Sequence, residues 1–184
     1  MSSCIEIKTS RLYLRPISIN DADTIFNYRS LPEVYEYQGW RPNSIAETKY
    51  FIKTQIEKKL NIPDSWYQIV VIKSDSDELI GDIGLHFLRN DNQQVEIGFT
   101  LSPIHQGKGF ATEAVAAVVD FLFNSLQKHR VIASVDPRNT KSIQLIQRIG
   151  MRKEAHFIKS LWFNNEWVDD LTFAILKEEW IKKY

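Results

Sequence analysis

The chain holds one cysteine, Cys4, near its start. With no second thiol there is no internal disulfide, and the expected compartment is a reducing one. The four histidines show no metal-ligand spacing and Cys4 has no partner, so no metal site is expected. No apolar run approaches the ~20 residues of a membrane span. Residues Met1–Ser10 lack the apolar stretch of a signal peptide. Net charge is also missing: 23 Lys and Arg balance 23 Asp and Glu, so nothing pulls the chain as a whole toward nucleic acid or a membrane surface. Repeats, linkers and low-complexity segments are absent. What remains reads as a cytoplasmic protein forming one domain over residues 1–184, with ten Phe, seven Tyr and five Trp to build its core.

The most informative passage is Gln106-Gly107-Lys108-Gly109-Phe110-Ala111-Thr112. Before it, Val95–Leu101 is apolar, β-branched and aromatic, the pattern of a strand; after it, Glu113–Phe123 has the pattern of a helix. A glycine-containing turn between strand and helix is an anion cradle. The first N–H groups of the helix lack intrahelical acceptors, the helix dipole adds positive potential, and glycine admits a phosphate with no Cβ in the way. The equally simple reading on periodicity alone is a capped helix with a small-residue start. A P-loop would put lysine after the second glycine, whereas Lys108 lies between the two. A dinucleotide fingerprint would have a third glycine where Thr112 stands, and Ser102–Gln106 sets the strand too far from the first.

Gln-x-x-Gly-x-Ala at 106–111 resembles the Gln/Arg-x-x-Gly-x-Gly/Ala signature of the GCN5-related N-acetyltransferase (GNAT) superfamily. Thr9–Pro16 is similar to the opening strand of the branch that acetylates ribosomal-protein N-termini, the ribosomal-protein-alanine N-acetyltransferases. Asp136–Ser142, Ile149–Glu154 and Asp170–Trp180 resemble further segments of that branch, in the same order. The resemblance implies the GNAT acyl-CoA N-acyltransferase fold, acetyl-CoA as co-substrate and no metal. It implies that Gln106, Gly107, Lys108, Gly109, Phe110, Ala111 and Thr112 hold the pyrophosphate. Phe99, Thr100 and Leu101 at the end of the preceding strand, with Asn139 and Ser142, would contact the rest of the cofactor.

Hydrophobic pattern and breakers predict the order β-α-α-β-β-β-α-β-α-β-β, a mixed α/β sheet without steady βαβ alternation. The expected strands are Arg11–Ile17, Trp66–Lys73, Glu78–Leu88, Gln93–Leu101, Arg130–Asp136, Arg152–Phe163 and Glu166–Leu176. A first helix, capped by Asn20 or Asp21, runs to Tyr28. Ser44 with Glu47 predicts a capping box on a second, Lys108 to Leu126 is the third, and Asn139 caps a fourth that Gly150 closes. Leu31–Pro42 and Arg89–Asn92 read as loop and turn.

Acetyl transfer to an amine requires a base for the amine, a hold on the thioester and a proton for the leaving thiolate. Glu96, on the strand that enters the loop, is the best base candidate: a carboxylate among Val95, Ile97 and Phe99 can have its pKa raised by desolvation. Its bland alternative is a solvent-facing glutamate paired with Arg89. His86 and His105 are the other titrating candidates. Asn139 and Ser142 lie three residues apart on one helix face, and Asn139 is equally a plain N-cap. Many relatives protonate the thiolate with a tyrosine on this helix. Thr140–Arg148 has none, leaving Ser142, water or the amine's own proton. The penultimate strand, where some branch members carry a glutamate, reads Lys159–Phe163 without a carboxylate, which shifts weight onto Glu96. Lys108 and Arg138 are candidates to add charge at the phosphates. Tyr37 and Trp40, with Tyr35, Glu33 and Glu36, suit a cationic acceptor and equally suit a packing patch. The expected function is an acetyl-CoA-dependent N-acetyltransferase acting on a primary amine, either a protein N-terminus or a small molecule, with no nucleic-acid or membrane partner. A non-catalytic acyl-CoA sensor on the same fold and a dinucleotide redox module are the alternatives.

Overall fold

The computed structural model describes residues 5–89 and 92–183; Cys4 and two residues of the expected 89–92 turn lie outside them. Eight strands form one sheet in the order β1-β2-β3-β4-β5-β6-β8-β7. They are β1 (Ile7–Lys8), β2 (Leu12–Pro16), β3 (Ser65–Lys73), β4 (Leu79–Phe87), β5 (Gln94–Leu101), β6 (Arg130–Val135), β7 (Arg152–Phe163) and β8 (Glu166–Leu176). The helices are α1 (Ala22–Arg29), α2 (Pro32–Tyr35), α3 (Ile45–Ile56), α4 (Phe110–Asn124), α5 (Thr140–Ile149) and α6 (Lys177–Lys183). Three short elements exceed the sequence expectation: β1, α2 inside the expected 31–42 loop, and α6. Two strand residues, or one to two helical turns, leave little periodicity to read.

Strand β3 shows how the core is shared. Its Ile69 and Val71 join a large cluster under α4 and α5, while Val70 and Ile72 join a smaller one under α1 and α3. Alternate residues point to opposite faces, so a continuous Ile-Val-Val-Ile run feeds both layers. Helix α4 buries Ala114, Val115, Val118, Val119, Leu122 and Phe123 in the large cluster. Helix α3 starts as expected at Ser44, whose hydroxyl accepts from the Glu47 N–H (3.1 Å). The Glu47 carboxylate, however, binds Asn43 and not Ser44, so only half the capping box forms.

Two features of the sheet position the site. β5 and β6 run parallel, joined through α4, and pair only at Gln94↔Arg130, Val95↔Val131 and Glu96↔Ile132. Beyond Glu96, β5 stays with β4 as far as Gly81↔Leu101, and β6 stays with β8 as far as Val135↔Leu171. Each strand follows its outer partner and the sheet opens between them. At the rim, β7 and β8 meet at a two-residue turn, Asn164-Asn165, both with positive φ (48° and 64°), as a tight hairpin requires. β7 carries a register break between Phe157 and Leu161, with Lys159 at φ 45°.

The smaller layer is locked by a buried polar knot. Asp82 of β4, 1% exposed, receives Arg29 Nη2 (2.5 Å) and Nε (3.1 Å), the Tyr28 hydroxyl (2.5 Å) and Gln68 Nε2 (2.5 Å). Burial, reinforced by the Asp82 charge, pushes the Tyr28 phenol well above its ordinary range. Burial alone would lower the pKa of Arg29, and the Asp82 carboxylate more than reverses it, so the guanidinium stays charged. Removing one partner of such a pair strands the other charge. Asp82→Ala is expected to cost about 3–5 kcal/mol in urea unfolding, with an apolar double replacement of Arg29 and Asp82 recovering most of the loss. A cost below about 1 kcal/mol for Asp82→Ala would show that the knot is not a keystone.

Candidate active site

The glycine turn has the conformation a cradle needs. Gly107 and Gly109 have φ of 76° and 81°, the left-handed region that an L side chain rarely adopts. Gly109 caps α4, and the first backbone bond back to it comes from Glu113 N–H (3.0 Å). The N–H groups of Phe110, Ala111 and Thr112 precede that bond and stand at the open end of the helix. The helix therefore begins two residues later than expected, because Gly109 closes the turn and does not join the helix.

Side chains brace this turn. Gln106 Nε2 donates to the Leu101 carbonyl (3.1 Å), tying the turn to the end of β5. Glu113 accepts from Thr9 Oγ1 (2.6 Å), Ser10 Oγ (3.0 Å), Arg11 N–H (3.0 Å) and Arg11 Nε (2.6 Å). Partial burial opposes ionisation of Glu113, but the donors of Thr9, Arg11 and Ser10 outweigh it and hold its pKa below the usual glutamate value. Arg11 also donates to the Lys108 carbonyl (3.0 Å) and lies over the Phe110 ring (4.5 Å). The Lys108 ammonium turns back to the Ile104 carbonyl (2.9 Å). Lys141, in the first turn of α5, reaches Gln106 Oε1 (3.3 Å), and Arg148 reaches Thr112 Oγ1 (3.4 Å). Three cations from outside the turn thus surround it.

Beside the turn, the gap between β5 and β6 opens into a cleft of about 640 Å³. Glu96, Ile97, Gly98 and Phe99 line one wall; Ala133, Ser134, Val135 and Asp136 line the other. Gly98 has open space where a Cβ would stand. Asn139 and Ser142 line the cleft from α5, and Tyr37 and Trp40 from the segment before α3. The Asn139 side chain accepts from the Ser142 N–H (3.2 Å), so the cap and the cleft wall are one residue in two roles. Trp40 stacks on Phe51 (4.0 Å between ring centroids) and lies beside the Arg29 guanidinium (5.3 Å). It is both a packing residue of the smaller layer and a wall of the cleft.

Glu96 does not meet Arg89. Its cross-strand neighbour is His86, with Nδ1 3.5 Å from Glu96 Oε2. On the next strand Trp66 pairs with His86 in register and stacks on it, 4.8 Å between centroids at 9°. Gly84 makes room for that indole: a Cβ there would come within 3.1 Å of two Trp66 ring carbons. His105, the other titrating candidate, is buried and paired with Glu78 (3.1 Å), away from the cleft wall.

The structure brings together Glu96, Phe99, Asn139, Ser142, Tyr37 and Trp40 in one cleft; the Gln106–Thr112 turn does not line it and is tied to α5 by Lys141. Thr100 is buried and donates to Gln38 Oε1 (3.0 Å), while Leu101 serves through its carbonyl. Arg138 stands between two acids and an aromatic ring. Its guanidinium is held by Asp136 (2.6 Å) and Glu166 (3.0 Å) and lies over the Tyr37 ring (6.0 Å). Those hydrogen bonds raise its pKa above the ordinary arginine value. Glu33 and Glu36 do not line the cleft, and Arg41, not an acid, covers Tyr35 (3.9 Å). The cleft acids are instead Glu96, Asp136, Asp169 and Asp170. Asp169 and Asp170 were missed, although two adjacent aspartates inside a strand pattern are an unusual sight.

A family model described as an acetyltransferase (GNAT) domain matches residues 11–152. The chain is 34% identical over 173 residues to the uncharacterized N-acetyltransferase p20 of Bacillus licheniformis, covering 94% of this chain and 96% of the relative. It is 25% identical over 176 residues to the spermidine N(1)-acetyltransferase of Vibrio cholerae, covering 95% and 98%. A solved GNAT-family acetyltransferase from Bacillus anthracis superposes with a TM-score of 0.86 at 31% identity, over 95% of this chain and 100% of that one.

If the turn holds coenzyme A, the free cofactor raises the melting temperature; at 100 times its Kd the gain is about 2.7 kcal/mol. Gly109→Glu should abolish that gain. It forces a side chain onto a backbone at φ 81° and adds a carboxylate at the cradle, next to Arg11. A folded Gly109→Glu protein that coenzyme A still stabilises like wild type would place the anion elsewhere.

Proposed function

Since the chain belongs to the GNAT acetyltransferase family and is an N-acetyltransferase, we propose that it carries the acetyl group of acetyl-CoA directly to a primary amine, in the cleft where β5 and β6 part. The parting carries this reading. It opens the sheet at Glu96, the residue best suited to take a proton, and sets Asn139 and Ser142 opposite. The residues present fit the cofactor: two glycines at positive φ, free helix-terminal N–H groups, surrounding cations, and an open Gly98. Gln106–Thr112 would hold the pyrophosphate, and the edges of β5 and β6 with Asn139 and Ser142 would hold the arm that carries the thioester. The names of the relatives favour transfer over the sensor reading, and Thr112 in place of a third glycine counts against a dinucleotide.

Glu96 acts as general base on the ammonium form of the acceptor. Ser142 or water supplies the thiolate's proton. Four acidic side chains against two basic ones line the cleft, with Trp40, Tyr37, Trp66 and Trp162 among them. Such a wall favours an amine that arrives as a cation. Spermidine and a peptide with an N-terminal alanine represent the small-molecule and protein-terminus classes.

Incubation with acetyl-CoA and each amine should yield a singly acetylated product by mass spectrometry, with thiol released in equal amount. Release of thiol without an acetylated amine would point to hydrolysis. Glu96→Gln should keep its response to coenzyme A and lose turnover by ~10²–10⁴-fold near neutrality. The deficit should narrow as pH rises, because more of the amine then arrives unprotonated. An unchanged pH–rate profile would remove Glu96 from the role.

A further inference from the structure

Resting on the assignment of Glu96 as base, we propose that His86 is its positioning residue and the exit for its proton, so that Trp66, His86 and Glu96 form one row across β3, β4 and β5. A base that is to turn over must lose the proton it gains. Glu96, 31% exposed in the empty cleft, lines the wall that bound substrates would cover; His86, 24% exposed, does not line the cleft and keeps its access to water when substrates bind. The row is set by register. His86 stands opposite Glu96 on one side and opposite Trp66 on the other. The indole, lying parallel to the imidazole at 9°, fixes the plane of the ring so that Nδ1 faces Glu96 Oε2 at 3.5 Å. That gap is long for a hydrogen bond and closes with a small turn of the carboxylate, as catalytic contacts do when substrate binds.

The step balances. The ammonium gives one proton to the Glu96 carboxylate, and the amine nitrogen forms its bond to the acetyl carbon. The carbon–sulfur bond breaks, Ser142 or water gives the thiolate a proton, and the second proton of the attacking nitrogen replaces the one given up. Glu96 hands its proton to His86 Nδ1, and the imidazolium releases one to water. The other charged side chains on the cleft wall, among the described residues, are Arg29, Lys58, Asp136, Asp169 and Asp170. Arg29 is held by Asp82, Asp136 by Arg138, and Asp169 by His156 (2.7 Å), while Asp170 accepts from Ser134 (2.6 Å). His86 is the titratable group paired to Glu96.

The test uses acetyl-CoA with spermidine and with the alanyl peptide, on wild type, His86→Gln, His86→Phe and Glu96→Gln. His86→Phe keeps a ring against Trp66 and His86→Gln keeps a polar group, so one of the two guards against simple misfolding. Both should lower kcat about tenfold, less than losing the base itself, with acceptor KM nearly unchanged. Added imidazole, at fixed pH and ionic strength, should raise the kcat of both variants and leave wild type unmoved. Wild-type turnover in either variant, or a loss that imidazole does not relieve, overturns the relay and leaves His86 as packing for Trp66. Full activity in Glu96→Gln, or no acetylation of either amine, overturns the underlying assignment, and the relay falls with it.

Discussion

Two neighbouring strands cannot part inside a sheet without leaving backbone N–H and C=O groups in search of partners. Everything else in this protein follows from where that parting happens. β5 is bound along its length to β4 and β6 to β8, yet the two hold each other through only three residue pairs. The groups left over face a cleft and not packed protein. An extended ligand with amide groups of its own can answer them as a strand would. The same opening decides which side chains meet: Glu96 is the last residue of β5 paired with β6, and Asp136 follows the last residue of β6.

The two layers of the sheet divide the labour. The larger core, under α4 and α5, fixes the glycine turn and the Asn139 cap relative to the strands. The smaller one, under α1 and α3, carries the Asp82 knot and Trp40. Arg29 links the knot to the cleft, since its guanidinium is bound to Asp82 on one side and lies beside Trp40 on the other. The Trp40 wall of the cleft is therefore anchored on a buried charge pair, and the glycine turn is anchored on a helix end. Glu113 fastens that helix end to the start of β2 through three consecutive residues, Thr9, Ser10 and Arg11.

Much of this was legible before any coordinates. β7 and β8 end where the sequence says they do, because two long runs rich in aromatic and β-branched residues flank a two-asparagine turn. The Asn139 cap and the Gly150 stop of α5 both hold, the latter at φ 102°. The glycine turn was readable because two nearby glycines are the residues that most readily take up positive φ. What stayed hidden was contact across distance. The Arg29–Asp82 pair spans 53 residues, and nothing local marks either partner. The His86–Glu96–Trp66 row needs the strand register, which a one-residue slip would abolish. The Arg138–Glu166 pair was hidden for a related reason: it joins the segment before α5 to the start of β8, 28 residues on.

The break in β7 has a meaning for the molecule in a crowded solution. This strand forms the rim of the sheet, and Phe157, Ile158, Leu161 and Trp162 along it are all exposed. A straight, apolar rim twelve residues long would let a neighbouring chain extend the sheet indefinitely. Lys159, turned into the left-handed region between Phe157 and Leu161, cuts the rim into two short lengths and puts a charge at the junction. The stretch before Lys159 is interrupted again between Lys153 and Ala155 and carries Arg152, Lys153 and Glu154, and the stretch after it is short, so neither offers the uncharged run that stacking into fibrils demands.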